Sequence, residues 1–249
     1  MKETIYTIPV NEAYSDDCEC PLCELEKKLE QEAVQYSLGA AMMEPDYRIL
    51  SNEKGYCNRH YNMMFNTENK LALALVLDTH LMEVRNTIED LKKMSELKSP
   101  SKMKLIKKGG IYDAIDKISD TLGKTECGCV TCDKINHTMD RYIDVLLYMW
   151  SNDDEFKEKF AASKGVCLKH FKMLAEGAKA SIKGADVADF INVLIDKEIS
   201  ELSRIQDDIH KFTLKFDYRN HDMPWGTAKD APKRTIEKLS GYIGENGER

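Results

Sequence analysis

The 249-residue chain has no apolar run long enough to cross a bilayer. Its longest apolar stretches, Leu71 to Leu77 and Val145 to Trp150, fall far below the roughly 18 residues a spanning helix needs. The opening MKETIYTIPVNEAYSDD lacks both the apolar core and the small-residue cleavage site of a secretory signal, so a cytoplasmic protein is expected. Basic residues are not in surplus. Lys and Arg number 36 against 43 Asp and Glu, a formal net charge of −7, which argues against a general binder of nucleic acid or anionic membranes. With 13 Gly, 6 Pro and 42% hydrophobic residues, collagen-like and low-complexity chains are excluded and a sizeable core is available. The familiar catalytic signatures are missing as well. There is no G-x-x-x-x-G-K-S/T phosphate loop, no G-x-G-x-x-G, no G-x-S-x-G elbow, no H-E-x-x-H helix and no C-x-x-C-H haem motif.

The chain does have eight cysteines, in two clusters of one design. The first is Cys18-Glu19-Cys20-Pro21-Leu22-Cys23, followed by Cys57-Asn58-Arg59-His60; the second is Cys127-Gly128-Cys129-Val130-Thr131-Cys132, followed by Cys167-Leu168-Lys169-His170. The flanks also match, Gly55-Tyr56-Cys57 with Gly165-Val166-Cys167, and Cys57 and Cys167 stand 110 positions apart. Two copies of one pattern define an internal repeat. In a long chain with ample core and no secretory signal, such thiols point to metal or redox chemistry rather than to disulfides.

A C-x-x-C pair turns two sulfurs onto one ion, and C-x-x-H does the same with sulfur and imidazole. Together they make a soft, four-ligand set suited to tetrahedral Zn²⁺. Sequence order groups Cys20, Cys23, Cys57 and His60 in one site and Cys129, Cys132, Cys167 and His170 in the other, two zinc ions per chain. An iron–sulfur cluster is the alternative cofactor. Cys18 and Cys127 are fifth candidates. In an extended C-x-C the two side chains lie roughly 7 Å apart, too far to share an ion without a tight turn. Each is therefore a supporting thiol, an alternate ligand (including the fourth thiolate of an iron–sulfur cluster) or a redox thiol.

Around the clusters the chain reads as helix, because Glu, Lys, Leu, Met and Ala dominate and no long stretch alternates with period two. The expected fold is all-α: two tandem repeat lobes of about three helices, each with a Cys/His metal site at helix N-termini. The lobes span 1–97 and 111–217, joined by a Lys-rich linker at 98–110 and followed by a C-terminal strap and short helix at 218–249. One helix starts at each C-x-x-C, with Leu22, Leu25, Leu29, Ala33 and Tyr36 in step, and Ile135, Met139, Tyr142, Leu146 and Met149 in the second half. Cys57 with His60, and Cys167 with His170, open further helices. Three thiolates on Zn²⁺ leave a net charge of −1, which the positive ends of helix dipoles favour.

Two long stripes, Leu77, Leu81, Val84, Ile88, Leu91 and Ile195, Ile199, Leu202, Ile205, Ile209, Phe212, Phe216, are expected to face the bundle core, the other reading being a coiled-coil contact with a partner. Residues 4–10 are β-prone and read as an extended arm. Residues 111–122 and 231–242 read as helices. The segment 217–226 reads as a strap whose Trp225 plugs a groove between the halves, with a ligand pocket as the other possibility. His80 and His210 read as structural or surface histidines, and His137 as no ligand.

The opening TIYTIPVNEAYSDDCECPLCELEKKLEQEAVQYSLG, together with GYCNRH and the late DYRN…PWG…KDA, resembles an uncharacterised family of anaerobic Gram-positive bacteria, a domain of unknown function. The resemblance covers most of the chain. It implies a cytoplasmic bacterial protein and brings no activity, fold or cofactor. The function expected from the residues is a non-enzymatic zinc-binding interaction or adaptor protein with a protein partner. A redox protein and a metal-handling or sensing protein are the alternatives.

Overall fold

The computed structural model describes residues 5–95, 109–184, 186–220 and 222–244. Among the described residues all regular structure is helical, and no helix is long and apolar enough to cross a membrane. The α-helices are α1 (Thr7–Ala13), α2 (Pro21–Ser37), α3 (Pro45–Lys54), α4 (Asn58–Phe65), α5 (Lys70–Ser95), α6 (Gly109–Cys127), α7 (Val130–Asn152), α8 (Asp154–Ala162), α9 (Leu168–Ser181), α10 (Asp186–Leu214) and α11 (Ala231–Ser240). Pro21 and Pro45 stand at helix starts, where the missing N–H is no loss.

The compact units divide the chain differently from two sequential lobes. One unit comprises Met1–Leu29 with Asn136–Arg249; the other is the continuous segment Glu30–Ile135. Both boundaries fall inside helices, α2 and α7. The core of the Glu30–Ile135 unit gathers Val34, Leu38, Tyr56, Met64, Ala72, Leu73, Val76, Cys129 and Val130. In the other unit a chain of rings forms the interior: Tyr14 lies 5.6 Å from Phe160, Phe160 lies 5.8 Å from Phe190, and Phe190 lies 5.0 Å from Trp150.

Three local expectations are corrected. The β-prone arm at 4–10 is helical from Thr7 onward; Thr7, Val10 and Ala13 are buried at three-residue spacing, so packing overrides strand propensity. Gly109 and Gly110, read as linker, open α6, while 96–108 lie outside the described residues. The long stripes are only in part the core faces. On α5, Leu81 is 68% exposed and only Leu91 of that stripe is buried; Ala72, Leu73 and Val76 carry the buried face instead. On α10 the buried residues are Phe190, Leu194, Glu198, Ile205 and Asp208. Two of these are acidic, and a search for apolar periodicity passes over them.

Both buried acids have cationic partners on α11. Lys238, almost fully buried, lies 3.6 Å from Glu198, and Arg234 lies 3.0 Å from Asp208. The strap before α11 packs on α10: Trp225 lies 5.5 Å from Phe212, and Lys215 Nζ donates to the carbonyls of Asn220 and Met223 at 3.2 and 2.6 Å.

Candidate metal centres

Each C-x-x-H turn is built in the same way. Cys57 and Cys167 are the N-cap residues of α4 and α9, at φ −71° ψ 165° and φ −75° ψ 164°, and neither thiol is used to cap its own helix. The histidine three residues on projects from the same first turn. Preceding each turn is a glycine at positive φ, Gly55 at 64° and Gly165 at 74°. At Gly55 a Cβ would run into the His80 ring, whose Nδ1 is 2.7 Å from the carbonyl of Asn52; His80 is therefore structural, as its position suggested. At Gly165 a Cβ would meet the Glu198 carboxylate and Lys238. That carboxylate accepts from Val166 N–H at 2.5 Å, and Lys238 donates to the carbonyls of Lys164 and Val166, so the buried pair clamps the turn.

This arrangement makes Gly165→Ala costly. The new side chain must adopt a left-handed backbone and displace a buried carboxylate, which together amount to about 3 kcal/mol. Urea unfolding is expected to show a lowered midpoint of that order, and an unchanged midpoint would contradict the clamp.

The eight predicted ligands form two groups, but the pairing differs from sequence order. Cys20 and Cys23 join Cys167 and His170; Cys57 and His60 join Cys129 and Cys132. In each group the four ligand atoms all lie within 4.8 Å of one another. The groupings Cys20/Cys23/Cys57/His60 and Cys129/Cys132/Cys167/His170 are thus corrected, since each mixes residues of different compact units. A C-x-x-C and a C-x-x-H are interchangeable half-sites, and their spacing cannot say which two meet. Packing decides. Tyr56, Cys129 and Val130 share one core, Val130 N–H donates to Gly55 O at 3.1 Å, and Lys54 pairs with Asp133.

The geometry within each group centres on one imidazole nitrogen. His170 Nδ1 lies 3.4, 3.5 and 3.3 Å from the sulfurs of Cys20, Cys23 and Cys167, with Cys23 and Cys167 sulfurs 3.6 Å apart. His60 Nδ1 lies 3.1, 3.2 and 3.5 Å from Cys57, Cys129 and Cys132, with Cys57 and Cys132 sulfurs 3.8 Å apart. For a tetrahedral ion with metal–sulfur bonds of about 2.3 Å and metal–nitrogen bonds of about 2.0 Å, the S···S and S···N edges are about 3.8 and 3.5 Å. The donor set and its edges are compatible with metal binding at both groups. All eight ligands stand at or beside helix N-termini, those of α2 and α9 in one group and of α4 and α7 in the other, where an anionic centre is favoured.

Charge is already separated within the groups. Neighbouring thiols donating to Cys167 hold it far below the usual thiol range, and Cys132 together with His60 lowers Cys129 to about 3. Burial works against a charged imidazole, yet the facing thiolates and carboxylates raise His170 to about 11 and His60 to about 10. A divalent cation bound there would take the place of the protons these groups share.

Two residues passed over in the sequence complete the sites. Glu26 Oε2 faces His170 Nε2 at 3.4 Å, and Glu30 Oε1 faces His60 Nε2 at 3.1 Å; both are charge-oriented contacts rather than aligned hydrogen bonds. Lys169 also pairs with Glu26, and Arg59 approaches Glu30 at 2.5 Å. Burial opposes Glu26's charge, but His170 and Lys169 hold its carboxyl down at about 2. A carboxylate on the far nitrogen fixes ring orientation and raises ligand basicity in metal–histidine sites. The available signal was helical register: Glu26 and Glu30 follow Cys23 by three and seven positions on α2, but they point to histidines remote in sequence.

Glu26→Gln and Glu30→Gln are each expected to weaken metal binding at their own site by about 10- to 100-fold, read by competition with a chromophoric chelator. Unchanged affinity in both variants would remove these carboxylates from the sites.

Cys18 stands outside both groups, and burial, with Glu24 nearby, pushes its thiol up to about 11. The side chain of Cys127 lies outside the described residues, as does His221. His137 and His210 are exposed and belong to neither group.

The fold and these groups define the class: an all-α protein with two Cys₃His centres. A family model described as "Family of unknown function (DUF6062)" matches residues 1–246, and the chain belongs to that family. Neither a curated protein nor a solved structure matches it.

Proposed function

We propose that the protein is a zinc-binding helical module with one structural Zn²⁺ in each Cys₃His group, acting without catalysis as an interaction or adaptor protein for a protein partner in a reducing, cytoplasmic setting. The observation carrying this reading is closure of the groups: three sulfurs and one imidazole nitrogen have the mutual spacing of the vertices of a single tetrahedron. Structural zinc sites are closed in this way, whereas catalytic sites keep a position for water or substrate. The same closeness speaks against a multi-iron cluster, whose thiolates sit on different irons and are held further apart. A redox switch through Cys18 has less support, because a thiol raised to about 11 carries little thiolate at neutral pH. A metal-handling role calls for exposed, exchangeable ligands, and both imidazoles are almost fully buried.

Elemental analysis of protein purified without oxygen is expected to give about two zinc per chain, one for each closed group, and no visible colour. Cobalt substitution is expected to give the intense blue-green bands of tetrahedral thiolate coordination. A brown protein with broad visible absorption and stoichiometric iron would replace zinc by an iron–sulfur assignment. Folded protein with no metal would overturn metal binding itself.

A further inference from the structure

Beside the Cys20 centre, in the same compact unit, a cleft of about 540 Å³ opens between α10, α11 and the C-x-C segment. This is within the usual size of small-ligand sites, roughly 300–1,000 Å³. Four basic and four acidic side chains line it, with Thr227. Most of these charges are engaged with one another. Arg204 donates to Glu19 Oε2 at 2.6 Å, Arg234 to Asp208 at 3.0 Å, and Thr227 to the other oxygen of Asp208 at 2.7 Å.

Three groups remain open. The Glu19 side chain is only 7% exposed, yet its Oε1 has no hydrogen-bond donor; Arg204 holds the other oxygen, and Arg234 stands 3.9 Å from Oε1. Asp207 and Lys211, one helical turn apart on α10, line the cleft outside any close ion pair among the described residues, Lys211 acting on Asp208 only through space.

A buried acceptor left open is costly unless something donates to it. Key residues of this cleft also lack equivalents in the second repeat. Glu19 lies between the two cysteines of the first C-x-C, where the second has Gly128, and there a Cβ would run into the carbonyl of Lys54. Thr227, Asp230 and Arg234 belong to the tail after residue 217, which lies outside the duplicated segments.

We propose that this cleft binds a small zwitterion of the free amino-acid or short-peptide class. The ammonium end fits Glu19 Oε1 and Asp207; the carboxylate end fits Lys211 and the rim of Arg234. A simple anion would leave Glu19 and Asp207 unanswered, and a simple amine would leave Lys211 so. Balanced lining charge favours a ligand that carries both signs.

The test is isothermal titration calorimetry on the full-length protein as purified. The probes are the free amino acids and glycyl dipeptides, run against acetate, methylamine and inorganic phosphate at the same millimolar concentrations. Saturable binding of at least one zwitterion, with none by the single-charge probes, is expected. Lys211→Glu, a change at an exposed position outside the core, is expected to raise the dissociation constant about tenfold or more. Lys172→Glu makes the same charge change at an exposed α9 site away from the cleft and is expected to leave binding unaltered. The proposal is overturned if no zwitterion saturates, if phosphate or acetate binds equally well, or if Lys211→Glu binds like the parent. Loss of binding in Lys172→Glu as well would reduce the effect to net charge and equally overturn it.

Discussion

Replacing Cys23 and Cys167 together by serine is expected to cost the protein one metal ion, whereas replacing Cys23 and Cys57 together costs both. The two sulfurs of the first pair are 3.6 Å apart and belong to one group; those of the second pair belong to different groups. Within a group the losses do not add, because a centre missing one thiolate has already lost its closed coordination. Across groups they add. Sequence order predicts the opposite, with Cys23 and Cys57 sharing an ion. Metal content of the two double variants, by elemental analysis on protein that retains helical circular dichroism, separates the arrangements directly. One retained ion in the Cys23/Cys57 variant and none in the Cys23/Cys167 variant would restore the sequential grouping and refute the one described above.

Removing the metal is expected to unfold both units, in two steps. Structural zinc in small sites contributes about 10–16 kcal/mol of apparent free energy at neutral pH, as much as or more than the roughly 5–15 kcal/mol that stabilises an ordinary domain. Here each ion would join segments far apart in sequence, Cys20 to His170 in one unit and Cys57 to Cys132 in the other. Without it, three thiols and a buried imidazole would be left to satisfy one another.

The steps differ in rate because the centres differ in access. All four ligands of the Cys20 group are buried, while Cys57 and Cys132 are half-exposed. A strong chelator is therefore expected to strip the Cys57 group first and the Cys20 group slowly, with helical signal lost in parallel with each release. Complete removal of metal with full retention of helicity and thermal midpoint would show that the ions do not support the fold.

Much of this arrangement is legible in the residues. Proline after Cys20, the absence of period-two alternation and the C-x-x-H spacing place ligands at helix starts, and α2, α4, α7 and α9 begin there. Long-range polar partners are harder to read. Glu198 and Asp208 occupy core positions on α10 because Lys238 and Arg234 arrive from a helix some 26 to 40 positions later. Glu26 and Glu30 look like solvated charges on an amphipathic helix until the imidazoles they face are known. The largely exposed stripe on α5 and the partly buried one on α10 show the converse: regular apolar spacing names a helix but does not choose which flank meets a neighbour.

Local chemistry therefore named, from sequence alone, the candidate ligands, the helices that carry them, and a number that suits two ions. Which half-site meets which was decided only by the tertiary fold. Coordination chemistry is indifferent to the choice, since every C-x-x-C offers an ion the same two sulfurs. The contacts around the knuckles are not indifferent: the Gly55–Val130 hydrogen bond, the shared core of Tyr56 and Val130, and the ion pair of Lys169 with Glu26 each admit one partner.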